Sequence, residues 1–229
     1  MKKTILSYMS FLLFIFFFSA VSWAAPKGDG GEGQGNTVKR MGNINAAPGT
    51  PTRAILDIED KMKSYKTQKP LSAADEEYNA KIKREIIQGT FDLRELCRRS
   101  LDKHWDQRSG AEQDQFVNLM SRILEKKALF TSEQSKTRGK KYVVNYRGDS
   151  FSQGNMAISK IHIRTQDNNE VNIQYRFRKV GSQWRIYDVV VDDASLVDNY
   201  RYQFDSIIKK YGYGELVNRM NKKLMEHDE

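Results

Sequence analysis

Three carboxylates crowd one short stretch, Asp188, Asp192 and Asp193, and a carboxyl group tuned by its surroundings can act as a general acid or base. They also stand where a strand pattern ends and a helix pattern begins, and capping that junction is the simpler role. His104, His162 and His227 fall on a helix, a strand and the terminal tail, with no Cys or His at ligand spacing beside them, so no metal centre is predicted. Cys97 is the single cysteine and can form no internal disulfide. It lies on the apolar side of a helical pattern and reads as a core thiol rather than a nucleophile. Neither a phosphate-cradling Gly loop nor a nucleophile elbow occurs, and the glycines at 28–35 follow no strand. No catalytic residue and no cofactor is assigned, which turns attention to what the chain can bury.

The elements that would do the burying are marked by periodicity. Ile55, Ile58 and Met62 share one helical face, and a weaker helix pattern runs over 73–87. Asp92 with Glu95 forms a capping-box pattern, after which Leu93, Leu96, Cys97, Leu101 and Trp105 share one side and Arg98, Arg99 and Lys103 the other. Ser109 with Glu112 repeats the pattern ahead of Phe116, Leu119, Met120, Ile123 and Leu124. Beyond Phe130 the period becomes two. Strands are predicted at 142–146, ending in a turn at Arg147-Gly148-Asp149, and at 156–164. A third has Val171, Ile173, Tyr175 and Phe177 alternating with Asn172, Gln174, Arg176 and Arg178. Gly181-Ser182 turns the chain into a strand at 184–191. Ser195 caps a helix carrying Leu196, Tyr200, Phe204, Ile207 and Ile208, and after Gly212 and Gly214 a short last helix carries Leu216, Val217, Met220 and Leu224. Short polar turns between sequential strands imply an antiparallel meander, and helices gathered on one side of it make the fold class α+β.

The N-terminus has the three parts of a secretory signal: Lys2 and Lys3, an apolar stretch over 5–21, and Ser22-Trp23-Ala24. A signal peptide over 1–24, a flexible linker over 25–52 and a folded domain over 53–226 are the expected divisions. Loss of Lys2 and Lys3 lowers the formal net charge from +9 to +7. That balance suits anionic lipid head groups or an acidic protein, whereas export removes nucleic acid as a partner. The clusters Lys136-Thr137-Arg138-Gly139-Lys140-Lys141 and Lys209-Lys210 read as solvated surface, with docking to an acidic partner or lipid surface as the sharper alternative.

The run from Trp184 to Phe204, WRIYDVVVDDASLVDNYRYQF, resembles the MlaC family of periplasmic phospholipid carriers, also described as the toluene-tolerance family of ABC-transport auxiliary proteins. Upstream, Phe91-Asp92 with Leu101 and Trp105, Phe116, Tyr146-Arg147-Gly148-Asp149 and Tyr175-Arg176-Phe177-Arg178-Lys179 follow in the family's order, over roughly residues 53–224. Asp193-Ala194 stands where the family usually has a Gly before a branched residue. The resemblance implies a curved antiparallel sheet wrapped by helices, similar to the nuclear-transport-factor-like cone, with an apolar pocket and a periplasmic location. It implies a phospholipid ligand and, as partners, an outer-membrane lipoprotein complex with a porin and an inner-membrane ABC transporter with a substrate-binding ring.

An acyl chain offers nothing to hydrogen-bond, so apolar surface must hold it, at about 0.8 kcal/mol per methylene removed from water. The inner-face candidates are Leu119, Ile123, Leu124, Ile161, Ile163, Val171, Ile173, Tyr175, Val189, Val191, Tyr200 and Phe204. Each of them serves equally well as plain core. Three other readings remain open: an enzyme of the same cone-like fold that brings Asp188, Tyr175 or His162 together in a pocket, an adaptor whose sheet face is simply filled, and a carrier of a hopanoid or other non-phospholipid.

Overall fold

A computed structural model of the protein describes residues 38–66, 70–127, 142–152, 154–165 and 168–225. The signal-peptide stretch, the 136–141 basic cluster and His227 lie outside the described residues. The chain runs β1 (Val38–Gly42), α1 (Pro51–Met62), α2 (Ala73–Thr90), α3 (Leu93–Leu101), a 3-10 turn (Asp102–His104) and α4 (Gly110–Lys127). It continues with β2 (Tyr142–Ser152), β3 (Met156–Thr165), β4 (Glu170–Val180), β5 (Gln183–Val191), β6 (Ala194–Ser195), α5 (Leu196–Tyr211) and α6 (Tyr213–Met225).

The strands form one sheet in chain order, antiparallel except that β1 pairs parallel to β2. The expected meander is there, and β1 extends it. Within the described part of the stretch read as linker, Val38–Gly42 is instead an edge strand and α1 starts at Pro51. Gly42 ends β1 at φ +79°, where an added Cβ would lie 2.2 Å from the carbonyl oxygen of Tyr146, so glycine alone fits this approach. The next amide, Asn43 N–H, donates to that same carbonyl at 2.9 Å.

The predicted turn at Arg147-Gly148-Asp149 is instead a bulge inside a longer strand. The pairing of β2 with β3 shifts between Tyr146 and Gly148, and Gly148 supplies a φ of +90°. The extra residue returns Asp149 to the side of the sheet occupied by Tyr146, opposite Ser159.

The helices start as their residues direct. Ser109 and Glu112 form the full capping box: Ser109 N–H donates to Glu112 Oε2 at 2.8 Å and Glu112 N–H to Ser109 Oγ at 3.3 Å. Asp92 makes only half of one, accepting Glu95 N–H at 3.1 Å. Its own N–H goes to the Ile186 carbonyl at 2.8 Å, while Glu95 turns to Arg98 and Arg99. Arg178 grips the Asp92 carboxylate at 2.5 Å, tying α3 to β4. Ser195 Oγ accepts Asp198 N–H at 3.0 Å and starts α5.

Helix α1 packs on β2, β3 and β5, and α2, α3 and α5 pack on β5. Helix α4 packs chiefly against α2, α3 and α6, forming a layer beyond the one on the sheet. One hydrophobic cluster runs through all of it.

Candidate functional site

The helix-facing side of the sheet is built from rows that cross the strands in register. One row is Tyr146, Ile161, Ile173 and Val191, and a second is Val144, Ile163 and Val171. A third carries Ser159, Tyr175 and Val189, and a fourth Phe151, Ala157, Phe177 and Ile186. Period-two alternation sends the intervening residues outward: His162 opposite Asn172, and Lys160 opposite Gln174.

Seven of the twelve predicted residues therefore come together on one face: Ile161, Ile163, Val171, Ile173, Tyr175, Val189 and Val191. Five of these are buried, and Val171 and Val189 are half-buried against the cluster. Tyr200 and Phe204 stack on α5 at 5.3 Å between ring centroids, and Phe204 meets Phe116 edge-on at 5.6 Å, linking α5 to α4. Leu119, Ile123 and Leu124 are buried too, but on α4, in the outer helical layer. Amphipathic spacing announces that they are covered without saying by what.

Two polar networks missed in the sequence pin α1 over this face. Asp149 accepts both the N–H and the hydroxyl of Thr52, at 3.2 and 2.6 Å, and the Thr52 hydroxyl lies 2.9 Å from Ser159 Oγ. Farther along α1, Glu59 accepts the Tyr146 hydroxyl and pairs with Arg40 of β1 at 2.9 Å. Burial pushes the Glu59 carboxyl above its usual range and the Tyr146 phenol upward as well. The signal that could have marked these residues is a polar side chain at a position that the strand or helix period assigns to the interior.

The residues of the enzyme reading are not gathered at one point. Tyr175 faces the helices, whereas His162 faces outward and pairs with Glu170 at 3.4 Å. Asp188 lies across from Arg176, on the side opposite Tyr175. There it accepts Ser195 Oγ–H at 2.8 Å and Val197 N–H at 3.0 Å, and pairs with Arg176 at 3.0 Å. It fastens the start of α5, which is the capping role expected of it. Asp192 and Asp193 make the two-residue turn between β5 and β6, with φ of 44° and 67°. His104 is held by Asp205 at 2.9 Å, and Cys97 is buried with its thiol pKa pushed up by desolvation. Lys209 of the second basic cluster is paired with Asp205 at 2.7 Å.

A surface cleft of about 630 Å³ between α2, α4 and the end of α6 is lined by Asn79, Lys83, Arg84, Arg122, Glu125 and Lys126 among others. None of the twelve residues borders it, and its charged walls do not suit an acyl chain. Among the described residues no helix is long and apolar enough to cross a membrane, and no cluster of His, Cys, Asp and Glu has metal-site geometry.

A family model described as MlaC protein matches residues 58–222. Seven chains among solved structures match, one of them described as a phospholipid-binding protein from Ralstonia solanacearum in complex with a phospholipid. It superimposes with a TM-score of 0.57 at 16% sequence identity, covering 76% of this chain and 94% of that one. The two share the α+β fold. No curated protein matches the sequence.

Proposed function

The chain belongs to the MlaC protein family, and from that membership we propose that it is a periplasmic phospholipid carrier that holds acyl chains against the helix-facing side of its sheet. The observation that carries this reading is the continuity of that face. Four strands place apolar side chains in register beneath α1, within one cluster that extends into the helices. Ile161, Ile163, Val171, Ile173, Tyr175, Val189 and Val191 make the floor, Tyr200 and Phe204 one wall, and Leu119, Ile123 and Leu124 the lining where chains reach α4.

Such a carrier need only match the bilayer, where acyl chains are already out of water, so a modest bias from a partner suffices to load or unload it. The phosphate head group stays in water at the mouth, because burying it uncompensated costs several kcal/mol. On this reading the protein passes phospholipid between an outer-membrane lipoprotein–porin complex and an inner-membrane ABC transporter with a substrate-binding ring, sustaining outer-membrane asymmetry. Native mass spectrometry of the protein from the periplasmic fraction, with lipid extraction, tests the carrier step. Phospholipid at a fixed stoichiometry is expected, and protein that stays empty after incubation with vesicles refutes it.

A further inference from the structure

The hairpin end of the sheet carries a surface that the buried face does not explain. Phe151, last in the inward-facing row of Ala157, Phe177 and Ile186, is 63% exposed, although its neighbours in the row are buried. Its ring meets that of Trp184 at 5.7 Å, although two strands, β3 and β4, lie between β2 and β5 in the ladder, so the sheet curls to bring the two aromatics together. Lys179 sits over the Trp184 ring at 5.6 Å, and Val180 beside it is 40% exposed. Among the described residues Arg185 reaches the Gln88 carbonyl and Gln183, both at 3.5 Å. Among the described residues neither Lys179 nor Arg185 has an ion pair, and the stretches 151–156 and 178–185 contain no acidic residue. Arg178 alone is neutralised, by Asp92.

An exposed Phe and a half-buried Trp flanked by cations without counter-charges have the chemistry of a bilayer interface, where amphipathic rings sit at head-group level and Lys and Arg meet anionic phosphates. We propose that this end of the sheet docks on an anionic phospholipid bilayer, placing the end of the apolar inner face against the membrane. The proposal rests on the carrier reading for its purpose but not for its test.

The test is tryptophan fluorescence of the protein from the periplasmic fraction, mixed with phosphatidylglycerol vesicles bearing a head-group nitroxide quencher. Trp23 leaves with the signal peptide on cleavage after Ala24 and Trp105 is buried, so Trp184 is the reporter. Quenching is expected in the wild type, is lost in Trp184→Phe, and weakens with salt. Lys179→Glu with Arg185→Glu lowers vesicle affinity at least about 25-fold, at about fivefold per cation, and Phe151→Ser lowers it about tenfold. Unchanged affinity in these variants, or equal binding to phosphatidylcholine vesicles, overturns the proposal. Unchanged vesicle binding with impaired lipid transfer to a protein complex also overturns it and assigns the surface to a protein. Native mass spectrometry of the same samples separates the two readings. A lipid-loaded protein without Trp184 quenching removes docking alone, and a quenched protein that never carries lipid removes the carrier reading alone.

Discussion

Asp149→Ala tests whether α1 is held over the sheet by the network at its first turn. In the wild type one carboxylate accepts a backbone N–H at 3.2 Å and a hydroxyl at 2.6 Å from Thr52, and Thr52 and Ser159 are both fully buried. A hydrogen bond to a charged acceptor contributes about 1.5–3 kcal/mol, and a negative charge at a helix N-terminus adds about 0.5 kcal/mol. The two bonds end on the two oxygens of one carboxylate, so their losses do not add. Truncation leaves the Thr52 N–H unsatisfied and leaves its hydroxyl only Ser159 Oγ as a partner, for a total of about 3 kcal/mol. For a domain of this size that lowers Tm by roughly 10 °C. Asp149→Asn keeps an acceptor for the hydroxyl but turns an NH₂ toward the Thr52 N–H, and costs about 1–2 kcal/mol. Urea unfolding of Asp149→Ala, Thr52→Val and the double variant gives the coupling energy, expected at about 1–2 kcal/mol. A coupling below about 0.5 kcal/mol, or an Asp149→Ala loss under about 1 kcal/mol, refutes the reasoning.

Ile173→Ala, in the centre of the proposed floor, costs the lipid-stripped protein about 3 kcal/mol but the loaded protein about half that, because a mobile acyl chain fills the gap. Equal losses by differential scanning calorimetry make Ile173 plain core. Asp193→Gly raises stability by about 1 kcal/mol, since Asp193 holds φ 67° in a two-residue turn. A urea midpoint that stays or falls contradicts this. Asp192 must remain, because its carboxylate accepts Asn172 N–H at 2.9 Å. Arg98 and Arg99 hold the Glu95 carboxyl down at about 2, against an ordinary 4.5. A lowered folded pKa contributes stability that is full above about pH 4.5 and is lost as pH falls toward 2. The partners are partly exposed, which limits the contribution to about 1 kcal/mol. Glu95→Gln should flatten that limb of the acid titration, and an unchanged slope between pH 4.5 and 2 counts against the ion pairs.

What could be read in advance follows from how local each signal is. The alternation of Val171 through Phe177 and the helical spacing of Phe116 through Leu124 are written within a dozen residues, and both elements form as expected. The capping box at Ser109 closes because, among the described residues, Glu112 has no nearer cation than the partly buried Arg108, 3.7 Å away. The one at Asp92 half-closes because Arg98 and Arg99 lie one turn downstream of Glu95 and draw its carboxylate away. Arg147-Gly148-Asp149 has turn composition, yet Gly148 with positive φ serves a bulge as well as a turn, and only the partner strand decides between them. Strand β1 was illegible because its partner β2 lies about a hundred residues away and pairs in parallel, leaving no hairpin signal in a Gly-rich stretch.

The candidate site divides along the same line. Periodicity marks which side of each element is covered, so the seven sheet residues fell together without any knowledge of tertiary contacts. It carries nothing about the covering partner, so Leu119, Ile123 and Leu124, read as the inner face of a helix, entered one candidate set with the sheet residues although α4 packs among helices. The polar residues that position α1 escaped for the opposite reason. Asp149, Ser159 and Glu59 look like surface residues in a composition-based reading; the bulge at Gly148 turns Asp149 inward, while Ser159 follows the alternation of β3 and Glu59 the inner face of α1. In a protein whose apolar face must both hold the fold and accept a flexible ligand, such directional contacts can fix where a covering helix sits, because apolar packing alone tolerates sliding.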